Sequence, residues 1–300
     1  MSSMTRRQLI GATVLGAVGS VHWPKPLRAV VVSRGQRDGQ PARSMRITDI
    51  ERHEILLPFH EFNATTLFRY HGLGIQLRTI FVVKTDNGLE GFGEAWGRGW
   101  PKDEELAQYV GTDPFDWIGD TNNLPINMAV HDLMGKHLGV PAWKLLGPKV
   151  RSSVPVAAWT VSQPPDAMAE EVRQAVRRGY HWLKYHVDEI QNVVDQTAAM
   201  QKVAPRGFRI HYDFNANSTY DAVLPVLKEL EQFPVAGRVE DPITTKDPDG
   251  WRMLRQKCRF PILAHHAPVE FMIEHLCDGL MAGHAAVGAA AKVAAVAEHT

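Results

Sequence analysis

Cysteine is nearly absent. The 300 residues hold two, Cys258 and Cys277, at a spacing that matches no zinc or iron–sulfur motif. A thiolate metal centre is therefore not expected, and the pair is open to a disulfide or to two separate buried thiols. An excess of either charge is absent too. Thirty-three basic residues balance 33 acidic ones, so no polybasic surface draws the chain to nucleic acid or to an anionic membrane. No glycine-rich loop directly follows a strand-like run, which argues against a Rossmann-type nucleotide site. Long apolar runs are lacking as well. The stretch Gly11–Val18 is too short to span a membrane in a mature protein.

What precedes that stretch gives it a different meaning. Thr5-Arg6-Arg7-Gln8-Leu9-Ile10 places a basic region before a short apolar one, the order found in an export signal. The Arg6-Arg7 pair resembles a twin-arginine signal, so residues 1–20 are read as that signal and a periplasmic location is expected. Ala17-Val18-Gly19 is a weak cleavage site. Residues 21–44 mix Pro, Gly, Arg and Val and read as a linker.

Hydrophobic content of 44% with 22% charged residues predicts ordinary globular packing from there on. Met45–Pro58 reads as extended. Leu77–Glu94 reads as two strands joined at Asp86-Asn87-Gly88, a hairpin turn. Together they predict a three-stranded antiparallel sheet. The connection Phe59–Gln76, with His60, Glu61, Arg69, Tyr70 and His71, is polar and aromatic and is expected to be a loop, either a lid or simply solvated. Asp103–Val110 predicts a short helix. Asn123–Leu138 carries Ile126, Ala129, Val130, Leu133, Met134 and His137 at helical spacing and stops at Gly139. Pro141–Gly147 adds a helical turn, and a domain junction is expected near Lys149–Ser153. Residues 45–150 thus read as an α+β domain and residues 151–300 as a second domain.

From Val154 the pattern alternates β and α. Strands are predicted at Val154–Trp159, His181–Val187, Phe208–Asp213, Ala236–Glu240, Pro261–Ala264 and Asp278–Ala282. Helices are predicted at Pro165–Arg178, Ile190–Val203, Thr219–Gln232, Pro248–Gln256, Val269–Leu276 and Ala285–His299. Six such units predict a parallel α/β sheet. Four strand ends carry chemistry at a regular interval: Lys184 and His186, Asp213 and Asn215, Glu240 and Asp241, then His265 and His266. In a barrel, groups at the C-terminal ends of parallel strands open onto one face.

Asp213, Glu240 and a group from the next strand make a candidate metal site, since hard oxygen ligands suit a divalent cation such as Mg²⁺ or Mn²⁺. Lys184 and His186 lie two apart on one strand and so share a face. A lysine or histidine base beside such a metal removes a proton next to a substrate carboxylate. Each position alone has a plainer reading: an Asp at a strand end often caps a helix, and a lone His often packs in a core. The common repeat interval is what joins them.

The strings LKYH, YDFNAN, VEDP and PILAHH, in this order of elements, resemble the mandelate racemase and muconate lactonizing group of the enolase superfamily. GFGEAWG and INMAVHDLMGKHLGVPAWKLLG resemble that group's capping domain, and the likeness runs from about Met45 to Thr300. The resemblance implies a (β/α) TIM-type barrel behind the cap, with Mg²⁺ as the metal. Asp213 and Glu240 would be ligands, Lys184 would match the first lysine of a Lys-x-Lys pair, and Phe59–Gln76 and Ala95–Lys102 would close over the substrate. Asn215 would stand near the site, and Asn215 and Asp241 are assigned to the substrate.

The chain also departs from that pattern. His186 stands where the second lysine belongs. His265 or His266 stands where a third metal carboxylate belongs, which admits Mn²⁺, Fe²⁺ or Zn²⁺ as alternatives. Ala282-Gly283-His284 replaces the usual substrate-facing group of the sixth strand. Six units leave two short of the ring of eight, so the barrel is expected to be incomplete, to expose parallel edges and to aggregate or pair through them.

The expected function is a metal-dependent lyase or isomerase that abstracts a proton alpha to a carboxylate. Sugar-acid dehydration comes first and racemisation or epimerisation second. The alternative is a non-catalytic or fragmentary relative that at most binds a carboxylate ligand. The expected partner is a small carboxylate, such as a sugar acid; nucleic acid and a membrane span in the mature form are not expected, and homo-oligomerisation stays open.

Overall fold

The computed structural model describes residues 44–72, 75–97, 101–149, 151–265 and 267–281, together with positions 293, 294 and 297; of position 62 only the backbone is described. The export signal and, Ser44 apart, the linker lie outside the described residues. So do Ala282-Gly283-His284 and most of the helix expected over Ala285–His299. All the elements below belong to the unit Met45–Thr300.

β1 (Ile47–Pro58), β2 (Ile75–Thr85) and β3 (Glu90–Trp96) form an antiparallel sheet in that order. The turn between β2 and β3 closes at Gly88, whose φ of 79° is open to glycine at little cost. Between β1 and β2 lies α1 (Glu61–His71), where a loop was expected. No apolar stripe announces this helix: Leu67 is buried, while Phe68 and Tyr70 face outward. Its side chains instead find partners far along the chain. Asn63 Nδ2 donates to the Trp159 carbonyl at 3.5 Å, Thr66 Oγ1 to Glu171 Oε1 at 3.2 Å, and His71 contacts the Ser162 carbonyl. Tertiary contacts thus decide what local periodicity left open.

After β3 come α2 (Asp103–Ala107) and α3 (Leu124–Leu138). Ile126, Ala129, Val130, Leu133 and Met134 of α3 are fully buried against Phe81 and Val83 of β2 and Ala95 of β3. The helix ends where Gly139 turns left-handed at φ 66°. Gly91 and Gly93 lie two apart on β3 and therefore on one face. A Cβ on Gly91 would overlap the Ala129 carbonyl, and one on Gly93 the Pro125 carbonyl. These glycines let the backbone of α3 settle directly on the sheet, which is the physical content of the GFGE string.

The remaining strands are β4 (Ala158–Val161), β5 (Trp182–His186), β6 (Arg209–Asp213), β7 (Ala236–Glu240), β8 (Ile262–Ala264) and β9 (Gly279–Leu280). They pair in parallel, in chain order. Among them run α4 (Pro165–Arg177), α5 (Val193–Val203), α6 (Tyr220–Leu230), α7 (Pro248–Lys257) and α8 (Glu270–Ile273). The alternation read from sequence is thus an α/β fold built on a parallel sheet. β4 begins four residues later than expected: Val154 and Val156 are 72% and 70% exposed, with no sheet to cover them.

The two faces of the parallel sheet differ. Leu183, Tyr185, Ile210, Tyr212, Val239, Ile262 and Ala264 belong to the apolar core, with Met168, Val172, Leu227 and Trp251 from the helices. By the period of two, Lys184, His186, His211, Asp213, Arg238 and Glu240 share the other face. Cys258 and Cys277 are buried and are not joined in a disulfide; burial pushes the Cys277 thiol up to about 12. No helix among the described residues is long and apolar enough to cross a membrane.

Gly93→Ala tests the packing of the cap. The added methyl must displace helix backbone rather than a flexible side chain, so a loss of about 1–3 kcal/mol is expected. A urea melt of the variant against the wild type measures it.

Candidate active site

Parallel register sets the site level by level. His186 lies opposite Asp213, and Asp213 opposite Glu240; one step toward the N-termini, Lys184 lies opposite His211, and His211 opposite Arg238. Asp213 and Glu240 are the last residues of β6 and β7, and His265 follows the end of β8. The chemistry-bearing residues read from sequence therefore do meet at strand C-termini, except His266, which lies outside the described residues.

Lys184 stands at the centre. Its ammonium is 2.9 Å from Asp213 Oδ2 and 3.1 Å from Glu240 Oε2, and it donates to Glu240 Oε1 at 3.2 Å. Burial works against its charge, but the two carboxylates outweigh burial and raise its pKa. Lys184 is therefore held as a cation and is not itself a base near neutral pH. His186 Nε2 lies 3.1 Å from the same Asp213 Oδ2, and its ring meets Trp159 edge-on at 5.6 Å.

Asp213 is buried, which alone would raise its pKa. Hydrogen bonds from His186 and Lys184, the Lys184 charge and the Asn215 N–H together hold it far below the ordinary carboxylate range. The Asn215 N–H reaches Asp213 Oδ1 at 3.0 Å, and its side-chain amide turns back to the Asp213 carbonyl at 3.4 Å. Asn215 thus clasps the end of β6; here it contacts the ligand candidate, whereas the sequence assigned it to the substrate.

Glu240 is fully buried. Burial pushes its pKa up, but His211 and Lys184 bring the balance below the ordinary value. Its Oε2 meets His211 Nε2 at 2.8 Å, yet no donor is aligned for a hydrogen bond to it among the described groups. Asp241 follows in a left-handed conformation, φ 42°, and its Oδ1 accepts the His265 N–H at 2.8 Å. His265 Nδ1 is 3.5 Å from Glu240 Oε1. Asp241 is raised by burial and then by the charges of Asp213 and Glu240. Negative charge at this end of the sheet is thus incompletely offset.

Glu240, Asp241 and His265 offer one ligand atom each within 4.8 Å of one another. From the sequence, Asp241 is expected with the substrate and Asp213 with the metal. The geometry groups Asp241 with Glu240 and His265, and leaves Asp213 to Lys184 and His186. Two oxygen donors and one nitrogen, beside a buried carboxylate oxygen without an aligned donor, fit a divalent cation.

Two neighbours escaped the sequence reading. His211 and Arg238 each lie two residues before a carboxylate, Asp213 and Glu240 respectively. The alternation that joined Lys184 to His186 would have found both. Arg238 Nε donates to His211 Nδ1 at 3.1 Å. Burial first, then the Arg238 and Lys184 charges, lower the His211 pKa against the pull of Glu240.

A family model described as enolase C-terminal domain-like matches residues 167–299. An N-succinyl-L-Arg/Lys racemase of Bacillus cereus is 24% identical over 245 residues, covering 73% of this chain and 65% of the relative. A D-galactonate dehydratase of Xanthomonas axonopodis pv. citri is 27% identical over 238 residues, covering 67% and 60%. The chain thus spans under two thirds of the length of these curated relatives. Among solved structures, the L-Ala-D/L-Glu epimerase of Bacillus subtilis aligns with a TM-score of 0.70 at 19% identity, covering 84% of this chain and 79% of that one. A dipeptide epimerase of Cytophaga hutchinsonii, complexed with Mg and the dipeptide D-Ala-L-Val, aligns with a TM-score of 0.67 at 20% identity, covering 84% and 77%. At these identities the structural likeness speaks for the fold.

The depressed Asp213 carboxyl gives a pH test. Its folded pKa lies below the unfolded value of about 3.9. Its contribution to stability is therefore complete above pH ~4 and lost as pH falls from there toward the folded value. Asp213→Asn should flatten the acid limb of stability against pH by up to ~1.4 kcal/mol per pH unit, read from urea midpoints at a series of acid pH values.

Proposed function

Because the chain belongs to the mandelate racemase and muconate lactonizing group of the enolase superfamily, we propose that it removes a proton alpha to a carboxylate, as a metal-dependent lyase or isomerase. One observation carries the reading: a lysine and a histidine, Lys184 and His186, meet a single carboxylate oxygen of Asp213 beside the Glu240–Asp241–His265 cluster. That is base, cation and metal-ligand chemistry at one set of strand ends.

In this proposal Glu240, Asp241 and His265 would hold the cation, with Asp213 standing beside them. A divalent cation there would offset the negative charge that builds on the substrate carboxylate as the adjacent proton leaves. His186 is the base. Asp213 orients its ring through Nε2, which leaves Nδ1 to accept the proton. Lys184, held protonated, faces the same charge and supports it electrostatically. Asn215 keeps the Asp213 carboxylate turned toward both. We place sugar-acid dehydration first and racemisation or epimerisation second. Both begin with this proton removal, and a group on the opposite side of the substrate separates them.

The proposed architecture is a (β/α) barrel behind an α+β cap, divided as residues 45–150 and 151–300. Its ring of strands is not closed among the described residues. Residues 1–20 are proposed as a twin-arginine export signal leading to the periplasm. A second functional reading, a non-catalytic relative that binds a carboxylate ligand, has one observation in its favour: the Lys184 ammonium already sits between Asp213 and Glu240.

Exchange with solvent separates these readings. Sugar acids, N-succinyl amino acids and dipeptides are incubated with the full chain and Mg²⁺ or Mn²⁺ in D₂O, and the alpha proton is followed by NMR. The proposal expects exchange or turnover with at least one carboxylate, lost by roughly 10²-fold or more in His186→Ala while metal binding stays nearly intact. Absence of exchange throughout, with metal bound, favours the non-catalytic reading.

The imidazole of His265 also sets a metal order. One neutral nitrogen in place of an oxygen anion weakens Mg²⁺ and favours Mn²⁺, Fe²⁺ or Zn²⁺. Calorimetric titration with each ion should show tighter binding of the latter group, and tight Mg²⁺ without preference would count against the ligand set.

A further inference from the structure

β7 carries an irregularity just before the site. Ile210 pairs with Ala236, but the next residue, His211, pairs with Arg238, so Gly237 is an extra residue in β7. A Cβ on Gly237 would press on the Trp182 ring at 2.6 Å and the Ile210 carbonyl at 2.8 Å, so the bulge needs glycine. Bulges of this kind re-aim the side chains that follow. Here the shift brings the Arg238 guanidinium over the Trp182 ring, 4.7 Å from its centroid, and sets its Nε 3.1 Å from His211 Nδ1.

That contact fixes a proton. A guanidinium donates and never accepts, so His211 Nδ1 must offer its lone pair. A neutral ring then carries its hydrogen on Nε2, and Nε2 has no lone pair to give a metal. The same Nε2 stands 2.8 Å from Glu240 Oε2. Both residues are deeply buried, His211 at 2% and Glu240 at 0% exposure. His211 is therefore not a ligand in this arrangement; its Nε2 stands beside one, within ion-pair distance of Glu240 Oε2 but without the alignment of a hydrogen bond.

We propose that Arg238 and His211 form a positioning relay, in which Arg238 selects the Nε2–H tautomer of His211 and His211 in turn holds Glu240 turned toward Asp241 and His265. The relay rests on the reading of Glu240 as a metal ligand. Outer partners of this kind orient ligands, and their loss commonly costs 10–100-fold in metal affinity. Trp182 and Gly237 belong to the same device: one supports the guanidinium, the other sets the register that delivers it.

Two measurements on the full chain test the relay. The first is ¹⁵N NMR of histidine-labelled wild type, with the His211 signals assigned by their loss in His211→Asn. The relay requires the Nε2-protonated tautomer; an Nδ1-protonated or doubly protonated His211 overturns it. The second is calorimetric titration with Mn²⁺ of wild type, His211→Leu, His211→Asn and Arg238→Met, each first checked for an unchanged thermal melt without metal. His211→Leu and Arg238→Met should bind Mn²⁺ about 10–100-fold more weakly. His211→Asn, which keeps an N–H donor, should recover most of the loss. Equal affinity of wild type and His211→Leu, or an Asn variant no better than the Leu variant, overturns the relay. If the wild type binds no Mn²⁺, the proposed function falls, and the tautomer measurement still decides the relay by itself.

Discussion

One ammonium between two buried carboxylates holds this site together. Parallel pairing puts Asp213 beside Glu240, and adjacent strands stand only about 4.8 Å apart. Two anions at that spacing, away from water, repel strongly. Lys184, one strand over and one level down, extends its ammonium between them. The arrangement is circular in its dependence. The carboxylates keep Lys184 charged against burial, and Lys184 with His186 keeps Asp213 ionised. Removing one member leaves an uncompensated buried charge, the costly outcome for any buried ion pair.

The apolar face of the sheet makes this concentration of charge tolerable. Leu183, Tyr185, Ile210, Tyr212 and Val239 join the helices in a continuous core, so the opposite face is released to carry polar groups. The cap contributes at the edge. α1 reaches the Trp159 and Ser162 carbonyls beside β4 through Asn63 and His71, and its Thr66 shares the buried Glu171 carboxylate with Thr160 and Gln163. Covering strand edges is a general requirement of sheets, and among the described residues a polar helix meets the β4 strand through its side chains.

The loops after β6 and β7 hold unusual backbone. Asn215, Ala216 and Asp241 take φ of 51°, 56° and 42°, a region that residues with a Cβ seldom occupy. The strain is held by hydrogen bonds between successive loops. Phe214 N donates to Glu240 O at 3.0 Å, Ala216 N to Asp241 O at 2.9 Å and Asp241 N to Leu263 O at 3.0 Å. The Asp241 turn is also what lets its carboxylate receive the His265 N–H. Strained backbone beside ligand candidates is the usual place to find it.

The sequence by itself determined the alternation of strand and helix, the buried stripe of α3, the hairpin at Gly88 and the convergence of Lys184, Asp213, Glu240 and His265. Each follows from a short-range period or a fixed interval, because the Cβ direction repeats every two residues in a strand and every 3.6 in a helix. Tertiary structure alone decided the rest. α1 is a helix because distant carbonyls and Glu171 receive its side chains. Asp241 joins Glu240 and His265 because a left-handed residue turns it there. Arg238 faces His211 because Gly237 adds a residue to β7. In the first the deciding atoms lie on other elements, tens of residues away; in the other two a local turn or bulge acts only against a partner on a neighbouring strand, His265 or His211, and the alternation that marks a face does not say which partner folding brings near.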